Sequence, residues 1–253
     1  MMYKINKLAL IAGIPIAIPS LGVSVHQPVL KEIAYLGEQD FYEAAQYLTV
    51  KGKDIAQRLE NLTEEDKNAI SQLSNFEVFL KLVEASDLSR AKVEMLFALL
   101  FPEYSVSIED RFIMLLNPVA GRTVMINEEN FEELQFVIST ILCLQSSNNK
   151  DDFNPVGDKA REIAEKLRRG REKVARLKGQ DSNQESDFLS KYISGLGIGT
   201  NSLNIRDVLE LTLYQLFDQL ERYSLFMSYN IAIKAKMAGA EGVEDVDWLK
   251  NIH

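Results

Sequence analysis

The chain has 253 residues, with 28 Lys plus Arg against 37 Asp plus Glu, a formal charge of −9. Apolar residues make up 46% and charged residues 26%, values of a soluble globular protein rather than a fibrous or wholly disordered one. A single cysteine, Cys143, excludes an internal disulfide framework and any cysteine-based zinc site. Two histidines, His26 and His253, exclude a His-rich metal site, and the acidic balance argues against a protein that coats nucleic acid.

The N-terminal segment supports two readings. Lys4 and Lys7 precede an apolar run from Leu8 to Ile18, with Ser20 and Gly22 beyond it, in the outline of a secretory signal over residues 1–22. The other reading is one or two short strands around Gly13 and Gly22. There Ile14, Ile16 and Ile18 alternate at period two, and Pro15 and Pro19 suit an edge. No segment reaches the ~18–20 apolar residues of a membrane-spanning helix. The expected compartment is a reducing cytoplasm, with Cys143 a small core residue on the apolar run Val137 to Leu144.

Gln27-Pro28 starts a helix whose apolar positions are Ile33, Leu36, Phe41 and Ala45, with Gly37 as a break point. A helical stretch follows over Asp54 to Leu62. Thr63 is the expected cap of the next, with acids at Glu64, Glu65 and Asp66. Asn75 to Ala85 and Ser89 to Phe101 are further helices, the latter with Val93, Leu96, Phe97 and Leu100 on one face. Ser105 to Met114 and Arg122 to Ile126 alternate as strands, joined by a hairpin through Asn117-Pro118 and Gly121. Asn127 to Asn130 caps a helix through Leu144 that carries Phe131, Leu134, Ile138, Ile141 and Leu142.

Composition then shifts. Gln145 to Asp152 is polar, and Asp158 to Lys178 is a charged helix with nine basic residues against four acidic ones. That helix carries +5, which leaves −14 on the remainder. Pairs such as Glu162 with Lys166 solubilise it, and it lacks aromatic residues for base stacking, so a nucleic-acid role is disfavoured. A short helix is expected near Phe188 to Ile193, then a flexible loop, Gly195-Leu-Gly-Ile-Gly-Thr200. The three glycines lack the strand and βαβ frame of a dinucleotide site.

The longest helix begins after Asn204 and stops at Gly239. It is either continuous from Ile205 to Ala238 or broken near Thr212, where Thr212 and Gln215 fit a capping box. Leu209, Leu213, Leu216, Leu220, Tyr223 and Met227 form a heptad seam about three repeats long. Tyr214, Phe217, Phe226 and Tyr229 are read as a second stripe beside it. One stripe is free to pack on the rest of the protein while the other accepts a partner helix; the alternative is that both are core. Trp248, after an acidic stretch, is either a terminal staple or a partner hot spot.

These segments give a mainly α (α+β) fold. An N-terminal α+β domain occupies residues 1–150, a charged helix and polar linker 151–187, and a C-terminal long-helix bundle 188–253. No nucleophile–base constellation stands out, and the acidic clusters sit at helix starts, so no enzyme, cofactor or metal is expected. The expected partner-binding residues are Tyr214, Phe217, Tyr223, Phe226 and Trp248.

Three stretches carry a family resemblance. They are Gln27-Pro28-Val-Leu-Lys-Glu-Ile33 with Leu36-Gly37-Glu38; Phe153-Asn154-Pro155 with Lys159-Ala-Arg-Glu-Ile-Ala-Glu-Lys166; and Leu211-Thr-Leu-Tyr-Gln-Leu-Phe-Asp218 with Arg222-Tyr223. The third ends in Ala238-Gly-Ala-Glu-Gly242 and Asp247-Trp248-Leu-Lys-Asn-Ile252. In pattern and order the chain resembles the tail assembly chaperones encoded just before the tape measure protein in long-tailed bacteriophages. The resemblance implies a non-enzymatic protein of the host cytoplasm. Its implied partner is the tape measure protein, with the tail tube protein as a further candidate, and oligomerisation stays open. The alternative function is a minor tail or baseplate protein retained in the virion.

Overall fold

The computed structural model describes residues 5–58, 63–144, 188–200 and 203–249. The charged helix expected over 158–178 and its linkers lie outside the described residues. Within them the fold is mainly α with a few short antiparallel strands.

The apolar run near the N-terminus is partly helical, which period-two alternation does not suggest. Helix α1 (Lys7–Ala12) starts at Asn6, whose side chain accepts from the Leu8 N–H, and ends at Gly13 with φ 68°. Left-handed backbone at that point is cheap only for glycine. The strand pair follows: β1 (Ile16–Ile18) lies antiparallel to β2 (Val23–Val25), with Ile16 opposite Val25. Ile16, Ile18, Val23 and Val25 all point into the core, as does Leu10 of α1. Gln27 is buried and ties these pieces together. Its Nε2 donates to the carbonyls of Ala9 at 3.1 Å and Ile14 at 2.6 Å.

Helices α2 (Leu30–Leu36) and α3 (Glu38–Tyr47) are separated at Gly37, which has φ 93°. The first turn begins at Leu30, two residues after Pro28, because Glu32 reaches back to accept from the Val29 N–H at 2.9 Å. Helix α4 (Gly52–Arg58) packs on α5 (Glu64–Gln72), which Thr63 caps through the Asp66 N–H. Ser74 and Ser86 cap α6 (Asn75–Glu84) and α7 (Asp87–Leu100) in the same manner.

The three-stranded sheet runs in the order β3 (Ser105–Glu109), β4 (Phe112–Asn117), β5 (Arg122–Ile126). Ser105 to Met114 is therefore not one strand. It turns at Asp110-Arg111, where two adjacent charged residues interrupt the alternation, and pairs Ile108 with Ile113. The second hairpin turns where expected. Asn117 Oδ1 accepts from the N–H groups of Val119 and Ala120, and Gly121 takes φ 62°. Helix α8 (Glu128–Ile141) follows, capped by Asn127. It stops at Ile141 rather than Leu144 because Cys143 adopts left-handed backbone, φ 53°.

The centre of the fold is aromatic. Phe76 and Phe79 of α6 meet Phe131 of α8 with ring centroids 5.0 and 5.2 Å apart, and Phe79 meets Phe97 of α7 at 6.2 Å. Each such ring contributes roughly 1.5–3 kcal/mol through burial. One hydrophobic cluster contains these rings, Ile18 and Val25 near the N-terminus, and Leu189, Leu196, Leu213 and Leu216 near the C-terminus. Residues assigned by sequence to separate regions thus share a single core.

Candidate partner-binding surface

The C-terminal elements begin with α9 (Phe188–Gly199), which runs straight through the glycine-rich segment expected to be a loop. Leu189 and Leu196, two turns apart, are buried and hold the helix on the core. The glycines serve close packing. A Cβ on Gly197 would lie 3.2 Å from Ile205, and one on Gly199 would lie 3.1 Å from the Tyr223 ring. Gly195 faces open space.

The long helix is broken. Helix α10 (Ile205–Leu209) is capped by Asn204, and α11 (Leu213–Met237) starts afresh at Thr212. Thr212 Oγ1 accepts from the Gln215 N–H, and Gln215 Oε1 accepts from the Thr212 N–H at 2.8 Å. This is the capping box, so the two-helix alternative holds. The break is used: the freed Leu211 carbonyl accepts from the Leu30 N–H at 2.8 Å. Gln215 Nε2 donates to the Ile11 carbonyl at 2.7 Å, joining α11 to α1. Gly239, with φ 85°, follows the last turn of α11 as the glycine stop requires.

Along α11 the environment changes. Leu213, Tyr214 and Leu216 are 1%, 6% and 0% exposed. Tyr214 is therefore core, not surface, and its hydroxyl's pKa is raised by burial and by the nearby Asp218 carboxylate. Phe217 is half-buried against the same cluster and meets Tyr192 of α9 edge-on at 6.2 Å. Tyr223 is half-buried beside Gly199. These three do not form one exposed stripe with Phe226. At roughly 100° per residue, Tyr214 and Phe217 lie on the broad face that the body covers.

Beyond Tyr223 the last turns of α11 form an arm on which several large apolar side chains are exposed, although Ala232 is buried. Phe226 and Met227 are each 41% exposed, Ile231 63% and Met237 83%. Ile231, Ile233 and Met237 were not singled out from sequence; the seam spacing beyond Met227 falls on Asn230 and Lys234 before it reaches Met237.

The tail folds back along one side of this arm. The Trp248 ring lies 5.4 Å from Phe226 in a T-shaped contact and 6.5 Å from Tyr229. Arg222 donates to the Trp248 carbonyl at 3.2 Å. Lys236 pairs with Asp245, holding that carboxyl below its usual range. Phe226 and Trp248 are thus brought together, with Ile233 and Met237 on the same side of α11 two and three turns further on.

Elsewhere, Cys143 is a free thiol packed against the core, its pKa pushed up to about 12 by burial. Among the described residues, no group of three His, Cys, Asp or Glu side chains is placed to hold a metal ion. No described helix is long and apolar enough to cross a membrane.

Residues 181–253 match the family model of the YomV second domain, a family of phage-derived proteins. The match suggests a phage origin. It covers α9, α10, α11 and the tail, and so contains the whole arm. No curated protein and no solved structure matches the chain.

Proposed function

We propose that the protein is a phage tail assembly chaperone that holds an apolar helical segment of the tape measure protein against the second half of α11. The observation that carries this reading is the arm itself. A run of Phe226, Ile233 and Met237, edged by Trp248, faces solvent on a helix that lies within the segment matching a phage-derived family. Helix-in-groove recognition uses such anchors at i, i+4 and i+7 spacing. Methionine and aromatic side chains adapt to a repetitive client, and a net charge of −9 keeps a loaded complex soluble.

The test is coexpression with the tape measure protein of the same phage. With the wild type, the client stays in the supernatant after lysis. The pair of substitutions Ile233→Glu and Met237→Glu sends it to the pellet, while the chaperone's own circular dichroism and melting temperature are unchanged. A client that stays soluble with that variant removes the arm from the binding surface. A client that is no more soluble with the wild type than without it removes the chaperone reading.

A further inference from the structure

The tail rests on one continuous stripe of the arm. Arg222, Phe226, Tyr229, Ile233 and Lys236 follow one another along α11 at spacings of 4, 3, 4 and 3, which is one face of a helix. The tail meets that stripe near both of its ends and in the middle. Trp248 touches Phe226 and Tyr229 with its ring and takes a hydrogen bond from Arg222 on its carbonyl, while Asp245 pairs with Lys236. Ala232 lies on the same side, between Tyr229 and Lys236, and is buried although Ile231 and Ile233 beside it in the chain are exposed.

The chain reaches the stripe by a sharp return. Gly239 and Gly242 take left-handed backbone, φ 85° and 73°, and a Cβ on either would meet nothing, so these glycines serve the turn rather than close packing. Residues 239–249 form neither helix nor strand. Val243, Val246 and Trp248 are half-buried, while Glu244, Asp245 and Asp247 face solvent. The contacts that hold the tail are an aromatic cluster, a hydrogen bond and an exposed ion pair, and exposed pairs are weak in water.

Resting on the reading of this arm as the client's surface, we propose that the tail is an autoinhibitory strap that occupies part of the client's place, so that a client helix must displace Trp248 to reach Phe226 and Tyr229. Ile233 and Met237, 37% and 83% exposed beside the strap, give the client its first hold. In the free protein the strap shields two aromatic rings that would otherwise enlarge an exposed apolar patch. Apparent affinity falls by the fraction of molecules in which the site is open, so a strap docked nine-tenths of the time weakens client binding about tenfold.

The experiment compares the full-length wild type with Trp248→Ala and Asp245→Lys, which open the strap by different means. The probes are Nile red, a neutral dye that brightens on apolar surface, and a tryptophan-free peptide copying one apolar helical segment of the tape measure protein of the same phage. Both variants should bind the peptide about tenfold more tightly than the wild type and brighten Nile red more, with unchanged far-ultraviolet circular dichroism. In the wild type the peptide should shift the emission of Trp248, the only tryptophan, to the red. Weaker peptide binding by Trp248→Ala overturns the proposal, because the ring is then part of the client's site and not its competitor. So does peptide binding that leaves Trp248 emission unchanged, or equal Nile red signals from all three proteins. A peptide that binds all three proteins equally removes the strap and leaves the client surface standing. A peptide that binds none of them removes the client surface itself, and the competition with it.

Discussion

The two halves of α11 carry similar apolar content and meet opposite surroundings. In the first half, Leu213 and Leu216 are sealed by α1, α8 and α9. In the second, Met227, Ile231 and Met237 stand in solvent beside a short tail. The helix pattern is continuous across the boundary. An apolar stripe therefore states only that something can be covered, and the rest of the chain decides whether it is covered internally.

The sharpest way to break this contrast is to truncate one residue in each half. Leu216→Ala should cost about 2–5 kcal/mol, the transfer of a buried leucine plus the cavity left behind. Ile231→Ala should change stability by no more than about 0.5 kcal/mol in dilute solution. Chemical denaturation of both variants checks the pair. If Ile231→Ala costs as much as Leu216→Ala, the arm is a buried element and no free surface exists.

The glycines of α9 sharpen the boundary from the other side. Gly199→Val forces a branched side chain against the Tyr223 ring and should destabilise by about 1–3 kcal/mol. Gly195→Ala meets nothing and should be neutral or stabilising by up to about 1 kcal/mol through helix propensity. Thr212→Ala removes the cap that starts α11 and should cost about 0.5–2 kcal/mol. Melting curves for the three rank them, and equal effects for Gly195 and Gly199 would mean that α9 is not seated as described.

Most helix starts were legible because capping is local chemistry: Thr63, Asn127 and the Thr212–Gln215 box act within three residues of themselves. The β4–β5 hairpin was legible for the same reason, with Asn117 and Gly121 supplying the turn. What failed depended on distant partners. Gly195 to Gly199 reads as a loop until Ile205 and Tyr223 are placed against it, when helix packing outweighs the conformational freedom of glycine. Residues 7–12 read as part of a strand run until Asn6 caps them and Gln27 crosses over to bind the Ala9 carbonyl. Tyr214 reads from sequence either as a partner-binding residue beside the heptad seam or as core, and periodicity alone does not choose. A face broad enough to touch both α1 and α8 buries it. Of the expected partner-binding residues, Phe226 and Trp248 are the two that come together on the arm.

The smallest expected effect concerns the tail, and pH reads it. Asp245 is held by Lys236, and the pairing lowers its pKa from the ordinary value of 3.8. A carboxyl depressed in the folded state stabilises the docked tail at every pH above that ordinary value. The contribution disappears as pH falls through the depressed value, so the tail stays docked at neutral pH and loosens only in strong acid. Both groups are exposed at one of the fold's last turns, so the pairing is modest and screened by salt. Trp248 is the only tryptophan and reports on the contact directly. Its emission should shift to the red when it leaves Phe226 and Tyr229. The shift should appear below pH 3.8 in the wild type and already at neutral pH, in part, in Asp245→Asn. High salt should reproduce part of it without acid. If Asp245→Asn leaves the emission unchanged at pH 7, the aromatic contacts and the Arg222 hydrogen bond alone hold the tail. The side of the arm beneath Trp248 is then closed to a partner unless the partner displaces the ring.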